Sequence, residues 1–151
     1  RALGVVLSTP KDDRKLVNRQ QLMSDIVVAL AGRAAELHAF GEGGVSTGAE
    51  DDLKQATNLA ARMASLWSMA STTPMLSIND DSSMAARQAA EQRAQKIIDQ
   101  AWVEALETLT RHKEAHAALV EALLERETVE GTEIKAIVES FLPVRAVQAA
   151  E

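Results

Sequence analysis

Residues 84–111 read MAARQAAEQRAQKIIDQAWVEALETLTR, and the spacing of their apolar side chains decides the fold. Ala90, Ala94, Ile97, Ala101, Ala105 and Leu109 recur at helical intervals, with Ile98 and Trp102 beside them. That is the stripe of one long amphipathic helix from Met84 to Arg111.

Helical patterns continue on both sides of it. Upstream, Asn18 followed three residues later by Gln21 resembles a capping box, and Leu22, Ile26, Leu30, Ala34 and Leu37 then keep helical spacing. This predicts a helix over about 18–39. Gly32 lies inside it on the face shared by Ala29 and Glu36, and an interior glycine costs about 1 kcal/mol relative to alanine, so another part of the chain is expected to approach there. The stretch FGEGGVSTG, residues 40–48, holds four of the seven glycines and reads as a loop. Thr47 and Glu50 form a second capping box, which predicts a helix running to about Trp67. Residues 68–83, SMASTTPMLSINDDSS, break the periodicity and read as a flexible loop.

Downstream, Leu119, Ala122 and Leu123 mark a further helix. A short last helix starts near Thr132, carries Ile134, Ile137, Val138 and Phe141, and is stopped by Pro143. At the other end, Ala2 to Ser8 is apolar and β-branched, bounded by Pro10 and the charged run KDDR, and reads as a short strand. The expected fold is mainly α: a bundle of about five helices with a short N-terminal β-strand. It forms a single domain over 1–151, with the strand and two helices in 1–67, the loop in 68–83 and the C-terminal helices in 84–142.

Composition agrees. The chain has 151 residues, 46% hydrophobic and 25% charged, enough for one core, and only 3% are aromatic, which favours helix over strand. The net charge is −6 and the basic residues are scattered among acids, so the electrostatic footprint of a nucleic-acid binder is missing. No apolar run approaches the ~20 residues needed to span a bilayer, so no membrane contact is expected of this segment. There is no cysteine, so any metal must sit on His, Asp or Glu. The chain opens on Arg1 with an apolar run directly behind it, and is read as a piece of something longer.

The chemistry concentrates in STGAEDDL, residues 46–53. Glu50, Asp51 and Asp52 each favour the positive end of a helix dipole by ~0.3–1 kcal/mol, which by itself accounts for acids at that place. Helical geometry separates them. Asp51 shares its stripe with Gln55, Asn58 and Arg62, a solvated face; Asp52 shares its stripe with Ala56, Leu59 and Met63, so it is expected to point inward. A carboxylate facing a core needs a cation, a donor or a metal, and either a metal or a buried ion pair with an arginine would serve.

Three segments taken in order, RALGVVLSTPKDDR, AGRAAELHAFG and VSTGAEDDLKQATNLAARMASLW, resemble the protease domain of the FtsH-type ATP-dependent zinc metalloproteases. The segments IIDQAWVEALETLTRH and LVEALLERETVEGTEIKAIV resemble that family's C-terminal helices in order and spacing. The resemblance implies that Asp52 is the third protein ligand of the catalytic zinc. The other two are histidines of an HExxH helix shortly upstream of the strand, and this chain contains no HExxH. A catalytic zinc takes three protein ligands and keeps a fourth position open, so the chain alone is expected to be inactive.

The resemblance further makes Glu36 an outer acceptor for a ligand histidine, with an exposed helix charge as the alternative. It makes Leu3, Gly4 and Val5 part of an edge strand that pairs with extended polypeptide substrate. Leu37 stands where the family tends to have a second glutamate, and Ala31 where it tends to have glycine. The intact parent would add an AAA module that uses ATP, assemble as a homo-hexamer, and be anchored in the membrane with this domain on the cytoplasmic side. The competing reading is a catalytically inactive helical homologue that serves as an oligomerisation or adaptor module.

His112 and His116, in HKEAH, lie at i and i+4, the spacing a zinc helix uses. A zincin helix has Glu directly after its first His; here Lys113 follows, and Glu114 is turned roughly 200° away. Both histidines are expected to be exposed helix residues, and His38 a terminal residue that favours the helix dipole. No GxSxG, phosphate-binding loop or dinucleotide fingerprint occurs.

Overall fold

The computed structural model describes residues 16–71 and 75–142. The strand expected over Ala2 to Ser8, with Leu3, Gly4 and Val5, lies outside the described residues. Five α-helices follow in order: α1 Arg19–Phe40, α2 Glu50–Ser65, α3 Met84–Arg111, α4 Lys113–Arg126 and α5 Gly131–Ser140. Two single 3-10 turns, Glu42–Gly44 and Thr47–Ala49, bridge α1 to α2. The protein is mainly α, as its periodicity predicts.

Local chemistry sets most of the boundaries. Asn18 caps α1 by accepting from the Gln21 amide at 2.9 Å. Gly41 ends that helix at φ 68°, a left-handed conformation that glycine adopts without penalty. Ser83 caps α3 by accepting from the Ala86 amide. The predicted Thr47–Glu50 box does not form. The Ser46 hydroxyl caps the preceding 3-10 turn by accepting from the Gly48 amide at 3.0 Å, and Glu50 pairs instead with Lys54 one turn on.

The core lies where α1, α2 and α3 pack against one another. Ile26 of α1 and Met63 of α2 are its largest fully buried side chains. Around them sit Leu22, Leu30 and Ile97 together with Ala34, Ala56, Ala60, Ala64, Ala101 and Ala105, so large side chains alternate with small ones across the helix contacts.

The segment after α2 folds back on this core. The Arg62 guanidinium lies 4.4 Å from the Trp67 ring centroid, the Met69 amide donates to the Met63 carbonyl, and Arg19 Nε donates to the Met69 carbonyl at 2.8 Å. The Ile78 amide donates to the Ser65 carbonyl at 2.8 Å.

The last two helices pack chiefly on each other. Only Ala115 and Ala122 of α4 are buried, and no residue of α5 is. Arg126 and Glu133 close the turn between them with an ion pair of 2.5 Å.

Candidate metal centre

The start of α2 is where acids, loop and α1 converge. Asp51 and Asp52 occupy its first turn. The Asp51 side chain is 99% exposed and its one partner is Lys54, at 3.6 Å. Asp52 faces the other way: its Oδ2 lies 4.0 Å from the point a Cβ on Gly32 would occupy. The approach expected at Gly32 is therefore made by α2, and it brings a carboxylate.

Asp52 is nonetheless exposed, which corrects the expectation that it points into the interior. The physical reason is its place in the first turn. Ala56, one turn on, is fully buried between helices, but at Asp52 the facing residue is a glycine, which has no side chain to close off solvent. No hydrogen bond or ion pair among the described residues engages Asp52, so the expected alternative of a buried ion pair with an arginine is not formed there either. Among the described residues no charged side chain is buried at all.

Above this point runs the loop. Glu36 of α1 accepts from the Ser46 hydroxyl with one oxygen and from the Ser46 amide, at 3.3 Å, with the other. Arg33, one turn earlier, donates to the Ser46 carbonyl at 2.7 Å and stands 3.6 Å from Glu36. The serine's side-chain and backbone donors, with Arg33 adding a smaller attraction, hold the Glu36 carboxyl below its ordinary pKa. Sequence reasoning missed Arg33 and Ser46. The available signal was local: a serine two residues before a glycine, the pattern of a serine turn, with an Arg and a Glu one helical turn apart to receive it.

The three histidines sit elsewhere. His112 is the residue between α3 and α4, with φ −110° and ψ 25°, so the HKEAH run straddles a helix junction. Both His112 and His116 are half-buried, not exposed as expected; they flank buried Ala115 at the start of α4, while Lys113, Glu114 and Ala117 stay exposed. His38 lies exposed in the last turn of α1.

Among the described residues no group of three or more His, Asp or Glu side chains is placed to hold a metal ion. Asp52 on its own fits the role of one ligand: an unpaired anionic oxygen, held by a helix and open on one side.

The profile described as Peptidase family M41 matches residues 1–137. The chain belongs to that family. Among curated proteins, this M41 chain is 37% identical over 152 residues to the ATP-dependent zinc metalloprotease FtsH of Thermobaculum terrenum, covering 91% of the chain and 23% of that protein. It is 37% identical over 158 residues to the ATP-dependent zinc metalloprotease FTSH 2, chloroplastic, of Arabidopsis thaliana, covering 95% of the chain and 23% of that protein. It is 32% identical over 160 residues to ATP-dependent zinc metalloprotease FtsH 3 of Symbiobacterium thermophilum, covering 96% of the chain and 25% of that protein. The M41 chain thus spans about a quarter of the length of these relatives, and the FtsH-type resemblance read from its motifs is borne out.

Proposed function

We propose that this chain is the C-terminal part of the peptidase domain of an ATP-dependent zinc metalloendopeptidase, and that Asp52 is a protein ligand of its catalytic zinc. The observation that carries the reading is the contrast between adjacent acids. Both are exposed, but Asp51 stands beside Lys54, whereas Asp52 turns toward α1 and has no hydrogen-bond or ion-pair partner among the described residues. An unpaired carboxylate set by a helix against a neighbouring helix is what a metal donor requires, and family membership supplies the metal as zinc.

Zinc, when bound, supplies the Lewis acidity that makes water a nucleophile toward a peptide carbonyl. This chain's residues contribute one anionic donor and its placement. Two further donors, as the family resemblance implies, come from an HExxH helix. Glu36 serves as an outer acceptor for a ligand histidine; each carboxylate oxygen has two lone pairs, so its bonds to Ser46 leave acceptor capacity free. Leu3, Gly4 and Val5 form the edge along which extended polypeptide substrate pairs. The full-length protein uses ATP through an AAA module, works as a homo-hexamer and is membrane-anchored outside this segment. No helix among the described residues is long and apolar enough to cross a membrane.

The test uses the full-length protein. Asp52→Asn is expected to abolish proteolysis and lower zinc content while ATP hydrolysis continues, and Asp51→Asn is expected to change none of these. Equal effects of the two substitutions would sink the assignment. A full-length protein that binds no zinc and still assembles would favour the adaptor reading.

A further inference from the structure

Among the described residues Asp52 has no side-chain partner, so no such contact fixes where its carboxylate stands. Its position is inherited from the backbone of the first turn of α2, and that turn is reached through a glycine-rich loop with little packing of its own. Glu42, Gly43, Gly44, Val45, Ser46, Thr47 and Gly48 are all exposed, and Ala49 is the first buried residue after α1. Some contact has to register the loop against α1.

That contact is Ser46. Its amide and hydroxyl both donate to Glu36, and its carbonyl accepts from Arg33 at 2.7 Å, so every polar atom of the residue is held by two side chains one helical turn apart. The hydroxyl then accepts from the Gly48 amide and so starts the 3-10 turn that leads into α2. A Cβ at Gly48 would lie 3.1 Å from Ser46 Oγ, so a side chain there would ask the hydroxyl to shift by a few tenths of an ångström. The arrangement ties the loop that leads into α2 to α1 one turn beyond Gly32, next to the core contacts that α1 and α2 share.

We infer that Ser46, gripped by Arg33 and Glu36, is the positioning residue for Asp52: it sets the register of α2 against α1 and so the geometry with which Asp52 meets zinc. This rests on the reading of Asp52 as a zinc ligand. The role is separate from acceptance of a ligand histidine by Glu36, because it passes through the loop backbone.

The experiment compares Ser46→Ala, Ser46→Thr, Glu36→Gln and Asp52→Asn in the full-length protein. The readouts are zinc retention against a chelator, the visible absorption spectrum after cobalt replaces zinc, and the unfolding midpoint. Removal of groups that orient a metal ligand typically weakens metal affinity 10–100-fold. Ser46→Ala and Glu36→Gln are each expected to lose about tenfold in zinc affinity and to shift the cobalt spectrum. Ser46→Thr, which keeps the hydroxyl, is expected to restore both. A merely structural serine would move the unfolding midpoint and leave the spectrum alone, which would overturn the inference. Wild-type zinc affinity in Ser46→Ala, with loss in Asp52→Asn, would overturn the inference and leave the ligand assignment standing, whatever Glu36→Gln does, since that variant also touches the proposed histidine contact. Unchanged affinity and spectrum in Asp52→Asn would overturn the ligand assignment, and the inference with it.

Discussion

Asp52 and Gly32 face each other across the junction of α2 and α1, with the carboxylate oxygen 4.0 Å from where a glycine Cβ would stand. That is ordinary contact distance, so a methyl group fits, and a longer side chain there would compete with the Asp52 carboxylate for the same space. Gly32→Ala is expected to stabilise the protein by up to about 1 kcal/mol, because glycine inside a helix costs about that much. Gly32→Leu is expected to push Asp52 aside and lower zinc retention. Urea unfolding reads the first and metal analysis of the full-length protein reads the second.

Met63 is fully buried at the meeting point of three helices. Met63→Ala is expected to cost about 2–5 kcal/mol through lost burial and a residual cavity. Ala60, also fully buried, is expected to reject Leu at a cost of about 1–3 kcal/mol, since closely packed helices have no room for added methylenes. Denaturant midpoints at constant slope check both.

Glu36 predicts a pH dependence with a definite sign. Its folded pKa lies below the ordinary value because the Ser46 hydroxyl and amide donate to the charged form. The stabilising contribution is therefore complete above the ordinary glutamate range and is lost as pH falls through the lowered folded value. The stability difference between wild type and Glu36→Gln is expected to be largest near neutrality and to shrink in acid. Unfolding curves taken across that range check it.

Glu127 ends α4 with φ 60°, a left-handed conformation that costs a residue with a side chain roughly 1–2 kcal/mol. Glu127→Gly is expected to raise stability by about 1 kcal/mol, the strain removed being partly offset by the greater freedom of glycine in the unfolded chain. The thermal midpoint measures this.

The sequence carried the helices well where periodicity was long. α3 was readable from Met84 to Arg111 because 28 residues of one stripe leave little choice of register. It carried junctions poorly. The hydroxyl that acts ahead of α2 is that of Ser46, which Glu36 and Arg33 hold from α1 and which caps the 3-10 turn, while α2 itself starts after Ala49 with no side-chain cap. Periodicity told on which side of α2 Asp52 lies but not how deep, since depth at a first turn depends on what faces it, and a glycine does. Likewise HKEAH had the spacing of one helix face, and the break at His112 was not visible in residue types.

The weak attachment of α4 and α5 divides the molecule into two exchange regimes. Amide hydrogens of α1, α2 and α3 are shielded by a shared core and swap with deuterium mainly when the whole fold opens. Those of α5, where no side chain is buried, and of α4, where two alanines are, escape through a smaller local opening. A partner that settled on α4 and α5 is expected to slow deuterium uptake there first, so the pair would register such a contact.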